Sequence, residues 1–208
     1  MQGGTMILNI SSVNKKYNTD IVLNNFSLTM DKKDRRAILG ASGTGKTTLL
    51  RIILGLAPAD SGSVSAGDNL HQLVVFQEDR LLMPFSAVDN INVYPYPFDE
   101  NKALQLLSQL GLDDAAVSQK HANEYSGGMK RRLAIARALY GCTRVSELFP
   151  GEPILLIMDE PFKGLDSELK DKVILTVNEV LETTAGALLL VTHDEKEAAA
   201  LGCSLVKL

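Results

Sequence analysis

The segment from Gly40 to Thr47 constrains the fold more than any other part of the 208-residue chain. It reads GASGTGKT, it follows an apolar strand-like run at 36–39, and it precedes a helix-forming stretch at 47–56. Glycines let a backbone turn several N–H groups inward, and a following helix adds the positive end of its dipole. A strand, a glycine-rich turn and a helix in this order predict an α/β protein with an anion site in the loop.

The side chains at the end of this loop suit a nucleoside triphosphate bound with Mg²⁺. Lys46 supplies a positive charge for the β- and γ-phosphates, and the Thr47 hydroxyl is a candidate Mg²⁺ ligand. Thr48 is placed to reach a further phosphate oxygen. We therefore expect MgATP to bind through the backbone and side chains of Gly40, Ala41, Ser42, Gly43, Thr44, Gly45, Lys46, Thr47 and Thr48.

Composition and charge favour a soluble globular protein. Hydrophobic residues make up 45% and charged residues 22%, and the formal net charge is -4. This balance argues against nucleic-acid binding by bulk electrostatics, and the short basic run at 130–132 is interpreted as a solvated helix face. Cys142 and Cys203 lack metal-site spacing and are expected to be ordinary thiols.

The sequence shows neither a signal peptide nor an apolar run long enough to cross a bilayer. We therefore expect an intracellular protein that reaches a membrane only through a partner.

Apolar runs predict two kinds of sheet and one helical insertion. Residues 6–30 alternate in short runs around turn formers at 18–20, which is typical of antiparallel strands. Continuous apolar runs, as at 154–158 and 187–191, indicate parallel strands covered on both faces. Prolines and leucines at helical spacing between 79 and 123 indicate a mostly helical lobe. The prediction is an α/β sheet interrupted by that lobe.

Two carboxylates follow the apolar run at 154–158. Asp159 is a candidate to hold Mg²⁺ through water, and Glu160 is a candidate general base that polarises the attacking water. A strand that ends in Asp-Glu is commonplace by itself. The phosphate-binding loop upstream is what favours the catalytic interpretation.

Two further polar residues follow apolar strands. Gln77 comes after the run at 73–76, and His193 comes after the run at 187–191. Open α/β sheets bind ligands at the carboxyl ends of their strands, so His193 is a candidate donor to the γ-phosphate or the attacking water. The alternative for His193 is a structural or solvent-facing histidine.

Ser126, Gly127 and Gly128 open a helix predicted over 126–139. Ser126 is an N-cap residue, and the glycines expose N–H groups at the positive end of the helix. This is a second anion site, and the alternative is a capped helix with a glycine turn. Because the loop at Gly40 already surrounds one triphosphate, a second site makes sense if it serves another nucleotide shared with a second copy.

The segment YSGGMKRRLAIARAL at 125–139 resembles the signature helix of the nucleotide-binding subunits of ABC transporters. The order and spacing of the other motifs match this family across nearly the whole chain. The resemblance implies a fold with a mostly parallel P-loop NTPase (RecA-like) core at 1–78 and 140–208, an antiparallel β subdomain, and a helical subdomain at about 79–139. It also implies roles for single residues: adenine stacking for Tyr17, Mg²⁺ ligation and catalysis for Gln77, catalysis for Glu160, a D-loop at 164–166, and a switch role for His193.

The resemblance further implies a working assembly. Two copies face head to tail, and each ATP lies between one copy's loop at Gly40 and the other copy's Ser126-Gly127-Gly128. Expected partners are integral membrane permease subunits and possibly a substrate-binding protein, without nucleic acid, at the inner face of the cell membrane. Importers of the nitrate, sulfonate and taurine type are the most similar group. A soluble ABC-type ATPase of an assembly or repair machine is the alternative, and Glu160 and His193 count against a non-catalytic nucleotide sensor.

Several positions depart from the family pattern. Tyr125 replaces the usual leucine before the signature, and we expect an effect on packing; Met129 stands where glutamine is common. The segment 140–152 looks expanded, which predicts a shifted surface loop. The sequence ends at Leu208, so a C-terminal regulatory domain is not expected.

Overall fold

Two sheets carry the fold in the computed structural model, which describes residues 5–41, 43–112 and 120–208. Within that part of the chain, an antiparallel sheet has three strands in the order β2-β1-β4, and a parallel sheet has five in the order β5-β6-β7-β3-β8. The antiparallel strands are β1 (Met6–Tyr17), β2 (Asp20–Asp31) and β4 (Ser61–Ala66). The hairpin predicted over 6–30 is therefore confirmed, and its turn includes Asn18 at φ +55°, a backbone angle that asparagine tolerates well.

The parallel sheet is covered on both faces, as its apolar runs predict. Its strands are β3 (Arg35–Leu39), β5 (His71–Val75), β6 (Ile154–Asp159), β7 (Ala187–Thr192) and β8 (Ser204–Lys207). Every residue of β6 and β7 is buried. Because the pairings are parallel, the carboxyl ends of β3, β5, β6 and β7 meet at one edge of the sheet.

Helices flank this sheet and form the inserted lobe. The described helices are α1 (Lys46–Ile53), α2 (Ala87–Ile91), α3 (Glu100–Gln109), α4 (Gly127–Leu148), α5 (Ser167–Thr184) and α6 (Glu195–Ala200), with a 3-10 turn at Ala122–Glu124. The lobe predicted between 79 and 123 thus contains helices α2 and α3, while the helix expected at 47–56 ends earlier, before Gly55 at φ +68°. None of the described helices is both long and apolar enough to cross a membrane.

The segment 140–152, which looks expanded in the sequence, contains the second half of α4. The helix continues without a break to Leu148, and only residues 149–152 form a turn. Tyr140 and Cys142 are buried in the core, and the Tyr140 hydroxyl accepts a hydrogen bond of 2.8 Å from the Asp99 N–H. Most of this segment is therefore helix, because this face of the helix buries apolar surface, and the expected shift of a surface loop stays a prediction. Both cysteines are free thiols, as expected, and burial raises the pKa of Cys142 to about 12.

The basic run at 130–132 is not a solvated face. Arg131 and Arg132 are each only 7% exposed. Arg132 donates to the carbonyls of Leu110 and Gly111 at 2.8 and 2.7 Å, just after α3 ends. The planar guanidinium can satisfy two carbonyls at once, which a point charge cannot do as well. Hydrogen bonds from a buried guanidinium therefore connect the first turns of α4 to the segment that follows α3.

Tyr125 lies just before α4 and is buried. It belongs to the same apolar cluster as Leu107, Leu110 and Leu133 of the helical lobe. Burial raises the pKa of its hydroxyl. This placement agrees with the expected role of Tyr125 in packing.

Candidate active site

A cavity of about 560 Å³ opens at the carboxyl edge of the parallel sheet. It collects residues that are far apart in the sequence, because four strands end there. The described residues that line it are Val22, Ala41, Gly43, Gly45, Lys46, Thr47, Thr48, Gln77, Asp159, Glu160, Lys163 and His193. The loop, both carboxylates, the glutamine and the histidine singled out from the sequence therefore converge on one cavity.

The loop keeps backbone donors free on the cavity side. Gly45 precedes α1 at φ +97°, and no side chain caps the first N–H groups of the helix. A Cβ atom at Gly45 would lie 2.6 Å from the Val22 side chain and from its carbonyl oxygen, so glycine is required there. The Thr44 hydroxyl donates to the Ala41 carbonyl at 2.9 Å and stabilises the turn. Ser42 lies outside the described residues.

Lys46 is held inside the loop. It is 8% exposed, and its ammonium donates to the carbonyls of Gly40 and, at 2.8 Å, Ala41. The same Nζ lies 4.0 Å from Glu160 Oε1. A buried ammonium whose carboxylate partner is as far as 4.0 Å away is a strong point charge for an anion that enters the cavity.

Asp159 and Thr47 form a small group of oxygen donors at the cavity floor. The Thr47 hydroxyl lies 3.5 Å from Asp159 Oδ2, and Asp159 is 3% exposed. Burial and the neighbouring charge of Glu160 raise the pKa of Asp159, while Lys46 and the Thr47 hydroxyl oppose that shift. A buried carboxylate whose charge is poorly compensated suits a hard divalent cation.

The donor set also indicates how such a cation would be held. Within the described residues, no cluster of three or more His, Cys, Asp or Glu side chains could bind a metal by itself. Mg²⁺ is usually bound by one or two protein oxygens together with substrate phosphates and water. Thr47 and Asp159, with Gln77 at the same cavity, fit that pattern.

Glu160 and His193 are in direct contact. Glu160 Oε2 lies 2.7 Å from His193 Nδ1, and the His193 side chain is 66% exposed. Glu160 has φ +47°, which is uncommon for a residue other than glycine, and its N–H donates to the Val191 carbonyl at 2.8 Å. Such backbone strain is concentrated at functional sites, where the surrounding structure fixes it.

Gln77 is held from the side of α4. Arg131 donates through one nitrogen to the Phe76 carbonyl at 2.7 Å and through the other to the Gln77 carbonyl. It also forms an ion pair of 3.2 Å with Asp79. The turn that carries Gln77 into the cavity is thus fixed by a residue of the predicted signature helix.

Six of the predicted site residues that the structure describes are not in the lining of this cavity. Gly40 and Thr44 belong to the loop whose other described residues line it. Tyr17 ends β1, is 46% exposed, and has the Lys15 ammonium 5.5 Å from its ring centre. Ser126 caps α4 and accepts from the Met129 N–H at 3.3 Å, and a Cβ atom built at Gly127 meets nothing within 4 Å. Gly128 likewise is not part of the lining. The roles expected for these residues stay predictions.

Two lining residues, Val22 and Lys163, were not predicted from the sequence. Lys163 contributes a second lysine to the cavity. Its position three residues after Glu160, in a turn that follows a strand end, was the available signal.

A P-loop at the edge of a parallel sheet, with a buried Asp and a Glu-His pair beside it, defines a protein of the nucleoside-triphosphate-binding class. A protein-family model described as ABC transporter matches residues 23–163. The chain belongs to the ABC transporter family.

Curated relatives agree with this assignment. The chain is 34% identical over 200 residues to the aliphatic sulfonates import ATP-binding protein SsuB of Yersinia pestis, covering 93% of this chain and 69% of the relative. It is 34% identical over 212 residues to the sulfate/thiosulfate import ATP-binding protein CysA of Pectobacterium atrosepticum, covering 93% and 61%.

Solved structures share the fold. A dimeric post-hydrolysis state of the ATP-binding cassette MJ0796 bound to ADP and Pi superposes with a TM-score of 0.80 at 24% identity, covering 97% of this chain and 94% of that one. A metal-chelate type ABC transporter in an inward-facing conformation gives 0.70 at 22% identity, covering 95% and 77%. The P-loop core, the antiparallel sheet and the helical lobe are therefore confirmed as an ABC cassette fold.

Proposed function

We propose that this chain is the ATP-binding and ATP-hydrolysing subunit of an ABC importer. The observation that carries the proposal is the convergence of Lys46, Asp159, Glu160 and His193 on one cavity beside the glycine-rich loop. Family membership supports it, and the relatives named as sulfonate and sulfate import proteins favour import over export.

Each group in the cavity has a distinct task in this reaction. The loop N–H groups and Lys46 bind the phosphates, and Thr47, Gln77 and Asp159 hold Mg²⁺. When bound, Mg²⁺ neutralises charge on the phosphate oxygens. Lys46 already points its ammonium at loop carbonyls, which are weaker partners than a phosphate, so ligand entry gives it a better one.

Glu160 acts on the attacking water. Its carboxylate accepts a proton as the water oxygen bonds to the γ-phosphorus and the bond to the departing ADP oxygen breaks. The contact of 2.7 Å with His193 Nδ1 orients that carboxylate. His193 is exposed enough for its other ring nitrogen to reach the γ-phosphate or the water.

The working unit contains a second copy of the chain. Ser126, Gly127 and Gly128 are not in the lining of their own chain's cavity, and a Cβ atom built at Gly127 meets nothing within 4 Å. A partner's triphosphate would meet the N–H groups there, at the positive end of a 22-residue helix. Such a dimer engages integral membrane permease subunits at the inner face of the cell membrane, together with a substrate-binding protein.

The decisive experiment compares Lys46→Ala with Lys33→Ala, a control at an exposed turn outside the cavity. Binding of fluorescent MgATP and phosphate release are measured for both and for the wild type. The Lys46 variant should lose binding by at least tenfold and lose turnover, since a charged phosphate contact is worth about 1.5–3 kcal/mol. Unchanged hydrolysis by that variant would refute the assignment.

A membrane pull-down tests the transport part separately. The tagged chain should co-purify with an integral membrane protein. Recovery of the chain with soluble proteins alone would favour the alternative, an ABC-type ATPase of an assembly or repair machine.

A further inference from the structure

Lys163 is a cation in the nucleotide cavity that the proposed reaction does not use. It lines the same cavity as Glu160 and His193. Its backbone N–H donates to the Glu160 carbonyl at 3.3 Å, so the two residues belong to one turn after β6. The position of the lysine backbone is therefore tied to that of the catalytic carboxylate.

The ammonium of Lys163 is available to a ligand. The side chain is exposed, and within the described part of the chain it forms no ion pair and no side-chain hydrogen bond. Lys15 and Lys170 differ in this respect, since they pair with Asp60 at 2.7 Å and with Glu197 at 2.9 Å. A solvated lysine at the mouth of a cavity raises the local attraction for a polyanion.

The balance of charge in the cavity points to the same conclusion. Without Lys163, the lining carboxylates Asp159 and Glu160 outnumber Lys46. Lys163 brings the formal charge of these four side chains to zero. This reduces the repulsion that a triphosphate would meet from Glu160, whose partners within 4.0 Å among the described residues are Lys46 and the His193 ring.

The turn is also fixed on its far side. Gly164 follows Lys163 at φ +81°, and the Leu165 side chain lies 3.6 Å from the position of a Cβ atom at Gly128. The backbone on either side of Lys163 is therefore held in place, by Glu160 before it and by the packing of Leu165 after it, while its side chain is exposed. We therefore expect the Lys163 side chain to reach the part of the cavity that Glu160 lines.

We propose that Lys163 binds the terminal phosphate of the nucleotide within its own chain and so favours a triphosphate over a diphosphate. The inference rests on the proposed function, which places the γ-phosphate beside Glu160. Lys46 and Thr48 contact phosphates next to α1 in both ligands. Only a triphosphate extends to the part of the cavity that Lys163 lines.

The test measures dissociation constants of the Mg²⁺ complexes of a non-hydrolysable ATP analogue and of ADP, at protein concentrations where gel filtration shows a monomer. Lys163→Gln should weaken analogue binding by roughly three- to tenfold. A loss of this size lies between the contribution of an exposed ion pair and that of a charge-assisted hydrogen bond. ADP binding should change less than about twofold. Lys163→Arg should retain the preference, and Lys196→Gln, an exposed control on α6, should match the wild type.

The dependence of affinity on salt concentration gives a second readout, which would not change if the role of Lys163 were purely structural. The wild type should lose analogue affinity with rising ionic strength more steeply than Lys163→Gln, because one screened contact is missing in the variant. Equal weakening of both nucleotides, no weakening, or weakening only under dimerising conditions would overturn the inference. Failure of the wild type to bind nucleotide, or normal binding by Lys46→Ala, would overturn the proposed function instead.

Discussion

Glu160 Oε2 lies 2.7 Å from His193 Nδ1, although 33 residues separate them in the chain. Parallel pairing of β6 with β7 brings them together, since Asp159 is opposite Val191 in the register. In the proposed reaction, this contact couples the residue that takes the proton to the residue that reaches the phosphate. Changes at either partner should therefore affect turnover more than affinity.

Glu160→Gln should bind MgATP nearly as well as the wild type and hydrolyse it at least about 100-fold more slowly, because an amide cannot accept the proton. Gel filtration with added ATP should show a dimer of this variant. Glu195→Gln, an exposed change two residues after His193, should leave both properties intact. A variant that stays monomeric with saturating ATP would contradict the shared-site assembly.

Asp159→Asn should raise the melting temperature of the nucleotide-free protein by a few degrees while it abolishes Mg²⁺-dependent turnover. The pKa of Asp159 is raised in the folded state, chiefly by burial. An acid with a raised pKa stabilises the fold below its unfolded pKa, and that contribution is lost as pH rises through the folded pKa. At neutral pH the ionised carboxylate therefore opposes folding.

The stabilisation by Asp159→Asn should accordingly vanish in acid, where the native carboxyl is protonated. Thermal melts at neutral and acidic pH check the sign. Asp68→Asn, at an exposed turn, should show no such difference. Lower stability of Asp159→Asn at neutral pH would mean that the carboxylate is compensated in the free protein.

Gly127→Val should leave folding and monomer nucleotide binding unchanged, since a Cβ atom there meets nothing within 4 Å. It should nevertheless reduce ATP-dependent dimerisation and turnover by at least tenfold if a partner's phosphates approach this backbone. Gel filtration and phosphate release measure the effect. Normal turnover would mean that Ser126, Gly127 and Gly128 form only a capped helix start and do not bind a partner's phosphates.

Tyr17→Ala should weaken nucleotide binding by about 1–3 kcal/mol if the ring stacks on the base. The ring is exposed and is not part of the cavity lining, so it is accessible without rearrangement of the core. Lys15→Gln is the useful control, because Lys15 lies over the same ring. An unchanged affinity for ATP would make Tyr17 an ordinary surface aromatic.

The sequence was informative wherever local chemistry decides the structure. The glycine loop, the buried strands β6 and β7 and the polar residues at strand ends were all predicted, because burial on two faces and phosphate binding leave distinct patterns. Arg131 and Arg132 were misjudged, since a basic triplet looks the same whether its partners are water or distant carbonyls. Lys163 was missed for a similar reason: only the fold turns it toward Glu160.

Residues 140–148 illustrate a second limit. Gly141 interrupts the helical pattern, and glycine lowers the expectation of a helix. In the fold, a Cβ atom at Gly141 would lie 2.6 Å from Leu73 and 2.8 Å from Tyr94. The glycine is there for close packing against β5, which overrides its low helix propensity.

The fork of Arg131 has a mechanical consequence. One end of its side chain belongs to the turn of α4 that follows Ser126, and the other end grips the carbonyls of Phe76 and Gln77. The start of α4 and the turn at Gln77 are expected to meet different nucleotides, and the Arg131 side chain connects them directly. We therefore expect a displacement of the turn at Gln77 to move the first turns of α4, which Ser126 caps.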